Sequence, residues 1–201
     1  MKNKIIFSIV LTLSLSQISC SVLKQIENIS RLKFKLDSIG NFTIMGINVS
    51  NKGSVRDFNV LDAAQFLNGI TRGTLPVSFN LYIDALNPND GGGYPRQDLD
   101  IVDFKWRLFI DDKETIAGNI ASPIAVPGRG EATRFPIGIN FDLYKFFSER
   151  GYDGLIDLAL KLGGLGGNPH RVTLKAKPTV KSMFGNITYP GEIDIIDREF
   201  R

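Results

Sequence analysis

At 201 residues, 43% hydrophobic and 22% charged, the chain has the size and mix of one ordinary globular domain, which excludes a disordered protein. Such a domain buries a substantial core without disulfides or metal. The formal charge of +3 falls to about +1 if Lys2 and Lys4 leave with a leader, so no electrostatic footprint for nucleic acid remains.

The first nineteen residues have the form of a processing signal. Lys2 and Lys4 make a short positive region, and Ile5 to Leu15 make an eleven-residue apolar run. That run is short for a bilayer span, which needs about 20 residues, and it suits the apolar region of a secretory leader. It ends in Ser16-Gln17-Ile18-Ser19-Cys20. A small residue directly before the single cysteine resembles a bacterial lipoprotein cleavage site, with Gln17 standing where that pattern has an aliphatic residue. The expectation is a leader over 1–19, a lipidated Cys20, and a polar tether over 20–30 that stands the domain off a membrane. The expected location is the bacterial envelope, exported and lipid-anchored, with the periplasmic side of the outer membrane as the expected face.

The mature chain opens with Leu32, Phe34 and Leu36 alternating with charged residues, the period of a strand with one buried face. Asn41 predicts a turn and Phe42 to Val49 a second strand. Asn59 predicts the cap of a short helix in which Leu61, Ala64 and Leu67 share the packing face and Gly69 marks the end. Leu75 to Asn89 carries the clearest alternation, with Val77, Phe79, Leu81, Ile83 and Ala85 on one side. It stops at Asn87-Pro88-Asn89, because Pro88 cannot donate to a ladder. The loop 90–100 is expected to be exposed and mobile. Ile101 to Ile110 forms the next strand, with Val102, Phe104, Trp106, Leu108 and Ile110 inward. Asp111-Asp112-Lys113 then turns it into a hairpin with Glu114 to Ala121. Pro123 to Gly130 is a turn-rich link into an alternating strand around Phe135, Ile137 and Ile139, where Pro136 points to an edge or a bulge.

The period then changes. Asp142 caps a stretch with Leu143, Phe146 and Phe147 at helical spacing, and Leu155 to Leu162 is helical until Gly163-Gly164. Arg171 to Lys177, Met183 to Thr188 and Glu192 to Ile196 return to strand. The whole predicts a mainly β protein, an antiparallel sandwich of the immunoglobulin or fibronectin III kind with one or two short helices.

Four features in order resemble the late embryogenesis abundant type 2 family, whose module is also called the water stress and hypersensitive response domain. They are FNLYIDALNPN (Phe79–Asn89), WRLFIDDKETIAG (Trp106–Gly118), IAVPGRGEATRFPIGI (Ile124–Ile139), and the helix and strands that follow. The resemblance covers roughly Leu32 to Ile196 of a domain over 31–201, most strongly Leu75 to Ile139, and implies a folded sandwich linked to stress and desiccation, with Asn87, Pro88 and Asn89 as its structural motif. It implies no catalytic residues. The leading expectation is a non-enzymatic, lipid-anchored stress-protective or interaction module. Segments 51–74 and 90–100 look like insertions on that plan, and the alternative is an envelope binding protein that meets a protein or glycan partner there, with Tyr94 and Arg96 as contacts.

Catalytic chemistry finds little material. His170 is the only histidine, and a zinc site needs three or four ligands. Gly163 to Gly167 follows a helix instead of starting one, unlike a phosphate loop. Asp90, Asp98, Asp100 and Asp103 lack the spacing of a calcium loop. Of the aromatic set Tyr94, Tyr144, Tyr152, Phe146 and Phe147, Phe146 and Phe147 are better read as helix-face residues than as a platform for sugar or peptide. No enzyme, cofactor or metal is expected.

Overall fold

The computed structural model describes residues 23–52, 54–165 and 171–195. Two antiparallel sheets pack face to face. The first has the order β2-β1-β3-β7, from Ile47–Asn48, Lys33–Ile44, Pro76–Leu86 and Ala132–Asp142. The second has the order β10-β8-β4-β5, from Ile193–Ile195, Val172–Ser182, Leu99–Ile110 and Lys113–Gly118. Two short strands extend it: β6 (Ile124–Val126) on β4 and β9 (Gly185–Thr188) on β8.

Alternation explains the core. On β3, Val77, Phe79, Leu81, Ile83 and Ala85 are all buried, while Ser78, Asn80 and Tyr82 face outward. Across the gap Phe104 meets Phe34 at 5.4 Å and Phe135 edge-on at 5.4 Å. These contacts join the two sheets. Pro136 sits on β7, an edge strand of the first sheet, opposite Tyr82 in an unbroken ladder. There the missing N–H faces away from β3 and costs no pairing.

Three strand details depart from simple alternation. Asn41 does not end a strand: β1 runs on to Ile44, with register shifts at 36–38 and 40–43 and Asn41 at positive φ. The turn comes later, at Met45-Gly46, where both residues have positive φ as a tight hairpin requires. On β4 the inward set begins with Leu99 and Ile101 and resumes at Phe104, leaving Val102 half-buried. A register shift against β8 between Ile101 and Asp103 inserts the extra residue that swaps the faces. The Pro123–Gly130 link is itself partly strand, since β6 lies along Leu99–Ile101. The Asp111-Asp112 hairpin forms as expected, with both aspartates at positive φ.

Among the described residues, four α-helices flank the sandwich. Residues 23–30 (α1), expected as a tether, are helical and put Ile29 into the core. Composition misleads here because only one face of this polar stretch packs. The second helix, α2 (Val60–Thr71), has the expected cap: Asn59 accepts from the Asp62 N–H and the Asp62 carboxylate accepts in return. Its packing face is not the expected one. Phe66, Gly69 and Ile70 are buried, whereas Leu61 is 79% and Leu67 60% exposed. Gly69 is a contact point rather than an end, since a Cβ there would lie 2.2 Å from the Met45 sulfur and 2.8 Å from the Thr74 carbonyl. Asp142 caps α3 (Leu143–Phe147), accepting from the N–H groups of Tyr144 at 3.0 Å and Leu75 at 2.7 Å. The last helix, α4 (Gly151–Leu162), buries Leu155, Leu158, Ala159 and Leu162. It ends at Gly163-Gly164 with paired bonds from Gly164 to Lys161 and from Leu165 to Leu160.

Candidate functional site

The sandwich has two unlike ends. At the end where β3 finishes and β1 and β4 begin lie α1, the Asn-Pro-Asn motif, the loop 90–98, the turn after β6 and the β8–β9 hairpin tip. At the other end lie the Met45-Gly46 turn, α2, α3 and α4. The two insertion-like segments, 51–74 and 90–100, therefore occupy opposite ends of β3.

Asn87 and Asn89 are fully buried and tie the first end together. The Asn87 amide donates to the carbonyls of Gln97 at 2.8 Å and Val126 at 2.9 Å. Its oxygen accepts from the backbone N–H and the side-chain amide of Asn89, at 3.1 and 2.9 Å. The Asn89 amide donates in addition to the Asn28 carbonyl of α1 at 2.9 Å, and its oxygen accepts from Arg31 at 3.3 Å. Strand β3, strand β6, the loop and α1 thus meet on two side chains. Gly128 closes the group, because a Cβ there would lie 2.1 Å from the Asn89 carbonyl. Read alone, the Asn-Pro-Asn stretch signals a turn; the long-range bonds to residues 28, 97 and 126 depend on tertiary placement.

Helix α1 is fastened at further points. The Tyr189 hydroxyl donates to the Ile29 carbonyl at 2.5 Å, and burial pushes its phenol well above the usual range. Gln97 accepts from Asn28 at 2.6 Å and donates to Gln25 at 2.9 Å. Tyr94 stays partly exposed and carries the Arg31 guanidinium over its ring at 3.8 Å, so it helps hold α1 as well as facing solvent. Arg96 is exposed on the same loop. The loop closes on itself through Gly91 to Tyr94 at 3.0 Å and Gln97 to Asn89 at 3.0 Å. Cys20 lies outside the described residues, as do His170, Gly166 and Gly167.

The loop aspartates do not converge. Asp90 accepts from the Gly92 N–H, Asp98 from the Gly128 N–H, and Asp103 from the Asn119 amide. Among the described residues no group of three or more His, Cys, Asp or Glu is placed to hold a metal, and no helix is long and apolar enough to cross a membrane.

The other end carries several concavities, two of them against α2. A polar depression of about 570 Å³ lies between the Met45–Asn51 turn and α2, and its Lys52 and Asp62 pair at 3.1 Å. A cleft of about 300 Å³ between α2 and α4 is lined by Phe58, Ala63, Phe66, Leu67, Ile156 and Leu160, with almost no polar atom at its wall. Sequence reading missed it, since Leu67 was assigned to the packing face.

The arrangement is that of a two-sheet antiparallel β-sandwich protein with a helical cap at one end and a polar knot at the other. No family model matches the chain, and no curated protein does. Among solved structures, a protein from Archaeoglobus fulgidus is 10% identical over 82% of this chain and 99% of its own, with a TM-score of 0.36. A protein assigned to the late embryogenesis abundant (LEA) class is 16% identical over 94% of this chain and 85% of its own, with a TM-score of 0.40. At these scores the sandwich rests on its own strand register.

Proposed function

We propose that the protein is exported and lipid-anchored through Cys20 in the bacterial envelope, on the periplasmic side of the outer membrane. There it acts without catalysis as a stress-protective or interaction module. The carrying observation is the join between leader and domain. The leader pattern ends at Cys20, and by residues 25–29 the chain is already fastened as helix α1 by Asn89, Gln97 and Tyr189. A lipid at Cys20 would therefore hold a rigid body close to its membrane. The test is fractionation of cells expressing the wild type and Cys20→Ser, with mass spectrometry of the N-terminal peptide. The wild type is expected in membranes with a diacylated cysteine and the variant in the soluble fraction; an unmodified Cys20 would sink the anchor.

A second reading is an envelope binding protein that recognises a protein or glycan partner. The apolar cleft beside Leu67 favours it, because uncovered wall of this kind is characteristic of recognition sites. In-cell photo-crosslinking from positions 61 and 94 separates the two readings. One dominant partner supports recognition, and a diffuse set growing under drying or salt stress supports protection.

A further inference from the structure

The Asn-Pro-Asn end exposes large apolar side chains that the fold does not use. Met183 at the β8–β9 tip is 78% exposed with Phe184 beside it, and Leu23 on α1 is 65% exposed with Ile26 one turn on. The register puts the tip at this end: Lys181 faces Asp100, so Met183 and Phe184 overhang the start of β4. The loop beneath is the one that Gln97 ties to α1. Hairpin tips are normally polar, and here the turn is made by its flanks. The Ser182 hydroxyl donates to the Gly185 carbonyl and accepts from the Phe184 N–H, and Gly185 supplies the positive φ. Neither Met183 nor Phe184 is needed by the turn or by the core.

Chain position says what covers them. Cys20 precedes Leu23 by three residues, a reach of about 10 Å at full extension. On the lipid-anchor reading, on which this inference rests, that reach brings the bilayer surface to this end. Local charge is mixed, with Lys24, Arg96 and Lys181 beside Glu27, Asp90 and Asp98, so the contact is apolar and needs no anionic lipid. We infer that this end lies on the membrane, with Met183, Phe184, Leu23 and Ile26 seated in the boundary between headgroups and acyl chains. The protein is then held in one orientation, with α2 and α4 turned away from the lipid.

The test uses the full lipidated chain in phosphatidylcholine vesicles. Lipidation caps the thiol of Cys20, so Met183→Cys provides the single free thiol for an environment-sensitive fluorophore. Leu61→Cys at the other end is the control. The label at position 183 is expected to shift to the blue and to lose most of its emission to brominated lipid, while the label at 61 does neither. A label at 183 as wet as that at 61, or quenching at both, overturns the orientation. Mass spectrometry of the N-terminal peptide keeps the two ideas apart. An unmodified Cys20 ends the anchor reading and the orientation with it, whereas a diacylated Cys20 with a wet label at 183 overturns the orientation alone.

Discussion

Asn87 donates to the carbonyls of Gln97 and Val126, and truncating it removes both bonds. Asn87→Ala is expected to cost roughly 2–4 kcal/mol by chemical denaturation, well above a typical single hydrogen bond. Tyr189 acts through burial. Its folded-state pKa lies above the unfolded 10.0, so its contribution is complete below pH 10 and is lost as pH rises beyond it. Tyr189→Phe should flatten that alkaline decline and cost about 1 kcal/mol at neutral pH, with hydrogen exchange rising in 23–30. Trp106 packs where β5 has no side chain, since a Cβ on Gly118 would lie 2.5 Å from the indole. Gly118→Ala should therefore overpack the site, costing about 1–3 kcal/mol, while Trp106→Asp or Phe79→Asp should abolish soluble expression.

Helix α2 shows how far an element can be read from its letters. Its existence and its cap were visible in Asn59 and the apolar period, yet the seated face is Phe66-Gly69-Ile70. Leucine counts more than glycine in any hydrophobic pattern. What seats this helix is the absence of a Cβ at Gly69, which lets it close on Met45. Leu61→Glu should move stability by less than about 0.5 kcal/mol, and Phe66→Ala should cost about 3 kcal/mol. Gly69→Ala should destabilise despite the better helix propensity of alanine. Asp62 adds a pH dependence: the Asn59 N–H first, then Lys52, hold its carboxyl below the ordinary 3.8. Its contribution is present above that value and lost as pH falls through the lower folded pKa, so Asp62→Asn should flatten the acid side of a stability-pH curve. In the strands, the faces of β3 were legible because period 2 leaves no alternative. The face swap on β4 was not, since a bulge is set by the partner strand.

For the molecule as a whole, the sandwich class and most strand positions along the chain follow from alternation and turn residues. The meeting of α1, the 90–98 loop and β6 on Asn87 and Asn89 does not, because residues 28, 97 and 126 come together only in three dimensions. The length of β3 separates segments 51–74 and 90–100, so a single small ligand cannot touch both. Shortening each in turn should affect different partners, measurable as separate losses in crosslinking. Strand β1 has a mechanical consequence. It leaves α1 and runs antiparallel to β3 from Lys33 opposite Leu86 to Ile44 opposite Val77. A pull on residue 23 against a load at the α2 end draws β1 along its own axis, so the ladder bonds resist together and not one at a time. In single-molecule stretching, α1 should detach at low force as its side-chain ties give way, followed by one high-force rupture of the sandwich.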